Sequence, residues 1–264
     1  LVWSSAAAFR ATRFAGGSGT MVLDILDSAV DFYNATFSYN TGGPAVGVSD
    51  GAVASFFGSH FLNNSATTSD GGALRVVDAA VDLRGCLLSG NRAATGNGGA
   101  LALVQATVVT ARDTVVEGNE AAGDGGGINA SNSTIILDAA GDAVVGNAAA
   151  HGGGGGFYFH YDATVEPRAP PAYNTLRTNK RSSTLGNSAL FGKDVATGPR
   201  SLKFQRAYYA GEASGEALNA TGLTVMVKDA YGSTVKTFSG ALTIVEAVGA
   251  NGSTCSPDLS GDTK

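Results

Sequence analysis

Between Phe61 and Phe159 a phrase built on Asn, small residues and paired glycine is said four times, and that repetition limits the folds open to the chain. Asn64-Ser65-Ala66 runs to Gly71-Gly72-Ala73-Leu74, and Asn91-Arg92-Ala93 to Gly98-Gly99-Ala100-Leu101. Asn119-Glu120-Ala121 then runs to Gly125-Gly126-Gly127-Ile128, and Asn147-Ala148-Ala149 to the glycine run before Phe157. These asparagines lie 27, 28 and 28 residues apart. One unit of this length cannot bury its own apolar side chains, so a fixed period in this range belongs to a stack of units.

Within each period the strands are short. Ala73-Leu74-Arg75-Val76 is followed by Val81-Asp82-Leu83 and Cys86-Leu87-Leu88, and the next period repeats this as Ala100–Leu103, Ala106–Val109 and Thr114–Val116. Three strands separated by Gly, Asn and Asp corners describe one coil of a parallel β-helix. Neighbouring coils at strand spacing, about 4.8 Å, would share one core and one ladder of backbone bonds. Paired glycine fits a corner where φ is positive and coils approach closely. Asn tolerates the left-handed conformation, and its amide can bond to its counterpart in the next coil. The expectation is a ladder of Asn64, Asn91, Asn119 and Asn147. An apolar residue three places earlier (Phe61, Leu88, Val116, Val144) should point inward and stack. Phe37-Ser38-Tyr39-Asn40 is the first instance of this spacing, and residues 1–20 read as a lead-in or an incomplete first coil.

Gly-Gly-Ala-Leu combined with Phe-x-x-Asn resembles the twin signature of the polymorphic outer membrane protein repeats, found in bacterial autotransporter passengers and in large surface proteins of some algae and protists. The resemblance covers roughly residues 30–195 and drifts in later copies, where Leu88 and Val116 replace Phe and Gly127-Ile128 lacks the Ala. It implies a right-handed β-helix used for display, adhesion or assembly at a cell surface, with no catalytic residues to carry over.

After Phe159 the pattern is interrupted by a segment with Pro167, Pro170 and Pro171, and it returns as Leu185-Gly186-Asn187-Ser188. Residues 160–183 therefore read as a loop inserted in a β-helix of about six coils over residues 1–198. From residue 199 the period changes. Leu223–Val227 and Val235–Val245, around Asp229-Ala230-Tyr231-Gly232, read as a β-hairpin. It resembles the Val-x-Val-x-Asp-x-x-Gly hairpin of immunoglobulin-like domains in filamins and invasins. Residues 199–264 hold too few strands for the seven of a complete sandwich, so that domain is expected to be incomplete. The fold class is all-β: a parallel β-helix followed by a partial immunoglobulin-like sandwich.

Charge is uneven. Residues 1–165 carry 6 basic and 14 acidic groups, while residues 166–206 carry 8 and 2. The basic set Arg177, Lys180, Arg181, Lys193, Arg200, Lys203 and Arg206 is a candidate contact with an acidic face of another copy. An acidic chain with N-glycosylation sequons is a poor nucleic-acid binder. Six sequons, at Asn34, Asn63, Asn129, Asn132, Asn219 and Asn251, point to a secreted glycoprotein. No apolar run is long enough to cross a bilayer as a helix. The ends of the sequence suggest a piece of a longer chain. Cys86 and Cys255 fall in different units and are not expected to pair, leaving Cys255 for a disulfide with a flanking module.

Carboxylates on β-helices also serve polysaccharide lyases and hydrolases, which need two acids across a groove or acids around calcium. Asp78, Asp82 and Arg84 form one such candidate set, and Asp24, Asp27 and Asp31 another. The bland reading, solvated corners and outward strand positions, is favoured for both. Gly47-x-Ser49-x-Gly51 matches a nucleophile elbow but lacks the strand-to-helix context. His60, His151 and His160 show no metal-ligand spacing, and no cofactor is implied. His151, Tyr158, His160 and Tyr161 are expected to pack as an aromatic cluster on the last coils. The expected function is a non-catalytic structural subunit at the cell surface, with partners among its own copies or flanking domains. A glycan- or glycoprotein-binding adhesin stands second and a polysaccharide-cleaving enzyme third.

Overall fold

The computed structural model describes residues 2–3, 6–105, 108–137, 141–160, 175–178, 186–204, 225–237, 247–248 and 254–255. Among them the chain winds as an all-β solenoid of about five turns, built from parallel sheets of eight, seven, six and seven strands. One turn illustrates all. Leu74–Val77 lies in the first sheet, Ala80–Arg84 in the second, Leu87–Ser89 in the third and Arg92–Ala93 in the fourth. Turns beginning at Leu23, Val46, Leu74, Leu101 and Ile128 each place a strand on every sheet. A turn therefore has four strands, not three. The fourth is only two residues long in the turns from Leu23 to Leu101, too short to carry a readable alternation.

Register follows the apolar pattern. Phe37, Phe61, Leu88, Val116 and Val144 pair as successive partners in the third sheet, and all are buried. Val81, Val109 and Ile135 do the same in the second. Parallel strands keep identical positions one above another, so a single apolar choice per position fills a continuous column. In the first turns those columns are aromatic. Phe9, Phe32 and Phe56 stack at 5.2 and 4.7 Å between centroids, and Phe14, Phe37 and Phe61 at 4.7 and 4.8 Å. The two stacks meet edge to face, as between Phe32 and Phe37.

The paired glycines divide their labour. Gly71 and Gly98 turn the chain with φ of 75° and 66°. The second member packs against the next turn: a Cβ on Gly72 would collide with the Gly99 carbonyl oxygen, and one on Gly99 with that of Gly126.

Two regions depart from expectation. The first twenty residues are more than a lead-in, because Val2–Trp3, Ala6–Arg10, Arg13–Ala15 and Ser18–Gly19 contribute one strand to each sheet. The stretch expected as a projecting loop returns to the solenoid at Thr175–Thr178, which pairs in parallel with Thr134–Leu137. Further on, a turn at Asp229 to Ser233 is closed by Lys228 opposite Thr234, as a hairpin should be. Val225–Lys228 also runs antiparallel to Ser201–Phe204, and Ala247–Val248 to Thr254–Cys255.

Candidate functional site

The corner between the third and fourth sheets holds an asparagine in six successive turns: Asn40, Asn64, Asn91, Asn119, Asn147 and Asn187, all buried. Each Nδ2 spends one hydrogen on a main-chain carbonyl of the turn before and the other on the next asparagine's Oδ1. Asn91 Nδ2 donates to Phe61 O at 2.9 Å and to Asn119 Oδ1 at 3.0 Å, and Asn119 Nδ2 to Leu88 O at 3.0 Å and Asn147 Oδ1 at 2.9 Å. Each Oδ1 also accepts the main-chain N–H of the preceding asparagine, as in Asn64 to Asn91 at 3.1 Å. The structure thus joins Asn64, Asn91, Asn119 and Asn147 in one row and lengthens it at both ends. At the far end, Asn187 Nδ2 donates to Asp194 Oδ1 at 2.9 Å. Asp194 could not be found from the repeat, since it lies seven residues beyond Asn187.

A second polar column runs at the corner between the second and third sheets, through Ala35, Ser59, Cys86, Thr114 and Asp142. Thr114 Oγ1 accepts from Cys86 N at 3.3 Å and donates to Leu83 O at 3.1 Å; Asp142 Oδ1 accepts from Thr114 N at 2.9 Å. The buried Cys86 is a free thiol whose Sγ donates to Phe56 O at 3.2 Å, and burial pushes its pKa up to about 11. A third column, Asp70, Asn97 and Asp124, accepts main-chain N–H groups from the turn after, at 2.7 to 2.8 Å. From Ser59 and from Asp70 onward these columns keep the 27–28-residue spacing, but their residues change from turn to turn.

The acids considered for catalysis are distributed rather than gathered. Asp27 and Asp78 are corner residues with φ of 43° and 48°. Asp82 accepts from Arg84 Nε at 2.8 Å on the outer face of the second sheet. Asp24 lies in the first sheet and Asp31 in the second. Ser49 ends a strand and its hydroxyl reaches only Asp50, at 3.4 Å. Among the described residues no group of three His, Cys, Asp or Glu side chains is arranged to hold a metal ion.

Of the sequons, Asn34 and Asn63 are exposed corners with φ of 52° and 53°, and Asn132 is a half-buried one. Asn129 is a correction. It is 6% exposed, its Nδ2 is closed off without a hydrogen-bond partner, and a glycan there has no room. Asn219 and Asn251 lie outside the described residues, as do Lys180, Arg181, Arg206 and the side chains of Arg177 and Cys255. Of the basic set, Lys193 and Lys203 are exposed, while Arg200 is half-buried.

Where the solenoid meets the Asp229 turn, Tyr158, Phe191, Ala196 and Val235 form a second apolar cluster. Asp229, 2% exposed, accepts from Ser233 N at 2.7 Å, Tyr231 N at 2.9 Å and Thr197 N at 3.4 Å. Thr197 Oγ1 accepts in turn from Ala230 N at 2.9 Å. Of the expected aromatic cluster, Tyr158 and His160 meet edge to face at 5.0 Å, whereas His151 is exposed in the fourth sheet and Tyr161 lies outside the described residues. Burial first, then the nearby Asp124 and Asp229 carboxylates, raise the Tyr158 pKa. Asp124 is itself raised by burial, opposed by the Gly153 N–H and by His160.

These features define a parallel β-solenoid whose corner side chains bond one turn to the next. Comparison with protein-family models, curated proteins and solved structures gives no match.

Proposed function

We propose that the chain is a non-catalytic structural subunit of an extracellular assembly such as a fibre, a cell-wall layer or a ciliary hair. Copies, or flanking parts of the same longer chain, associate through the faces and ends of the solenoid. One observation carries this reading. The turns stack in register through parallel sheets, and buried corner asparagines bond one turn to the next, as Asn91 to Asn119 at 3.0 Å. A stack held together in this way is a stiff, extended element that suits a building role.

The resemblance to surface-protein repeats supports the same reading, as do the exposed sequons Asn34 and Asn63, which suit a secreted glycoprotein. The Asp229 turn is read as part of an immunoglobulin-like module of the filamin or invasin kind. A structural role also suits side chains spent on stacking: Asp27 and Asp78 in turning corners, Asp82 on Arg84. Binding of glycans by an adhesin ranks second, and cleavage of polysaccharide third.

Electron microscopy of the concentrated protein, and of material from its natural source, tests this. Regular filaments or sheets containing the solenoid are expected. Isolated particles in both preparations would overturn the reading.

A further inference from the structure

The outer face of the second sheet carries opposite charges on its two long edges. Where the chain turns onto this sheet, Asp27, Asp50 and Asp78 stand exposed in three successive turns, aligned by the pairing of Leu26, Ser49 and Val77 just before them. On the opposite edge Arg10, Tyr33, Phe57, Arg84 and Arg112 form one row of register partners, with the three arginines exposed. That row is stiff. The Tyr33 and Phe57 rings stack at 4.8 Å, the Arg10 guanidinium lies 4.2 Å from the Tyr33 centroid, and that of Arg84 5.5 Å from Phe57. Ring faces spent on one another and on guanidinium groups offer a sugar no platform to stack on.

The middle of the face is flat and built of small side chains. One row holds Ala29, Val53 and Ala80, with Val53 46% exposed, and the next holds Asp31, Ser55 and Asp82. Alternating with these, Val30, Ala54 and Val81 point into the core.

We propose that two copies of the chain meet here, sheet against sheet, about a two-fold axis parallel to the solenoid axis. This rests on the self-association reading above and names the face and geometry through which it works. Identical sheet faces can meet with two-fold symmetry in two ways. With the axis along the strands, the aspartate edge meets the partner's aspartate edge, and arginine meets arginine. With the axis along the solenoid, each aspartate edge lies over the partner's arginine edge, and Asp78 and Arg84 come from the same turn and match in height. That second arrangement also sets the alanine row opposite Asp31 and Asp82, so no acid faces an acid. Seven strands of up to five residues cover about 16 Å by about 29 Å. Counting both partners, roughly 1,000 Å² is buried, the lower bound for a specific interface, so one pair is weak and repetition strengthens it.

Sedimentation of unglycosylated protein over a concentration series, at low and high salt, tests the arrangement with Val53→Lys, Asp78→Arg and Arg84→Glu, each checked for an unchanged melt. Wild type is expected to self-associate, and each variant alone to do so at least about tenfold more weakly, because like charges or a buried lysine then meet at the interface. Mixing Asp78→Arg with Arg84→Glu should restore wild-type affinity, since both cross-contacts in the mixed pair are again opposite in charge. If wild type associates and the variants match it, this face is overturned while self-association stands. Failure of the mixture to recover overturns the two-fold geometry. A wild type that stays monomeric throughout overturns both this inference and the reading beneath it.

Discussion

Two corners of the same solenoid meet the same demand with different chemistry. Each gives an acceptor to a main-chain N–H of the turn before, and the asparagines, Thr114 and Cys86 also donate to a carbonyl there. Between the third and fourth sheets every turn from Asn40 to Asn187 uses asparagine; between the second and third, Ser59, Cys86, Thr114 and Asp142 take the place in turn. A hydroxyl or thiol has one hydrogen and spends it on the carbonyl, as Thr114 does on Leu83 and Cys86 on Phe56. An amide has two, so asparagine can serve the carbonyl and also its neighbour's side chain. Uniformity is thus required only where the side chains bond to each other.

The largest effect should come from breaking the uniform row in its middle. Asn119→Leu strands the Asn91 amide, the Asn91 main-chain N–H and the Leu88 carbonyl in a buried site, and a loss of about 3 kcal/mol is expected in denaturant melts. An unchanged midpoint would mean that the row contributes no stability.

Alkaline pH probes the mixed column next. Folding keeps the Cys86 thiol protonated to about pH 11 against an ordinary value of 9.0, chiefly through burial. Its contribution is complete below about pH 9 and is lost as pH rises through about 11, in all about 2–3 kcal/mol. Melts at pH 8 and pH 11 should therefore diverge more for wild type than for Cys86→Ala. Equal divergence would place the alkaline sensitivity elsewhere.

Thr114→Val removes one acceptor and one donor without touching a side-chain relay, and about 1–2 kcal/mol should be lost. Smallest of all, Cys86→Ser keeps both functions and should lie within about 1 kcal/mol of wild type at pH 7. A loss as large as that of Asn119→Leu would show that packing of sulfur, not hydrogen bonding, fills this column.

The same contrast explains what was legible beforehand. Six identical residues at one corner make a period visible to the eye, and with it the stacked parallel sheets, the buried column of Phe61, Leu88, Val116 and Val144, and the glycine corners. The mixed column has the same period but no shared letter, so it was silent. The fourth strand, as short as Arg92–Ala93, holds no alternation to read. Asn129 matched the sequon pattern, yet it faces a covered part of the first sheet between Ala102 and Tyr158, and burial is set by what lies over a strand rather than by its own letters. The division of charge across the second sheet was equally hidden, because its two edges come from residues dozens of positions apart that only stacking aligns.

The row of asparagines has one more property. Every amide is oriented alike, oxygen towards the first turn and nitrogen towards the last, so their dipoles add as peptide dipoles add along a helix. The positive pole falls at Asn187, and there the chain supplies a carboxylate, Asp194, at 2.9 Å. An acid in that place acts as acids do at a helix N-terminus, and it gives the solenoid interior an electrical polarity. The two ends of this column are therefore not interchangeable, whatever the symmetry of the sheets around it.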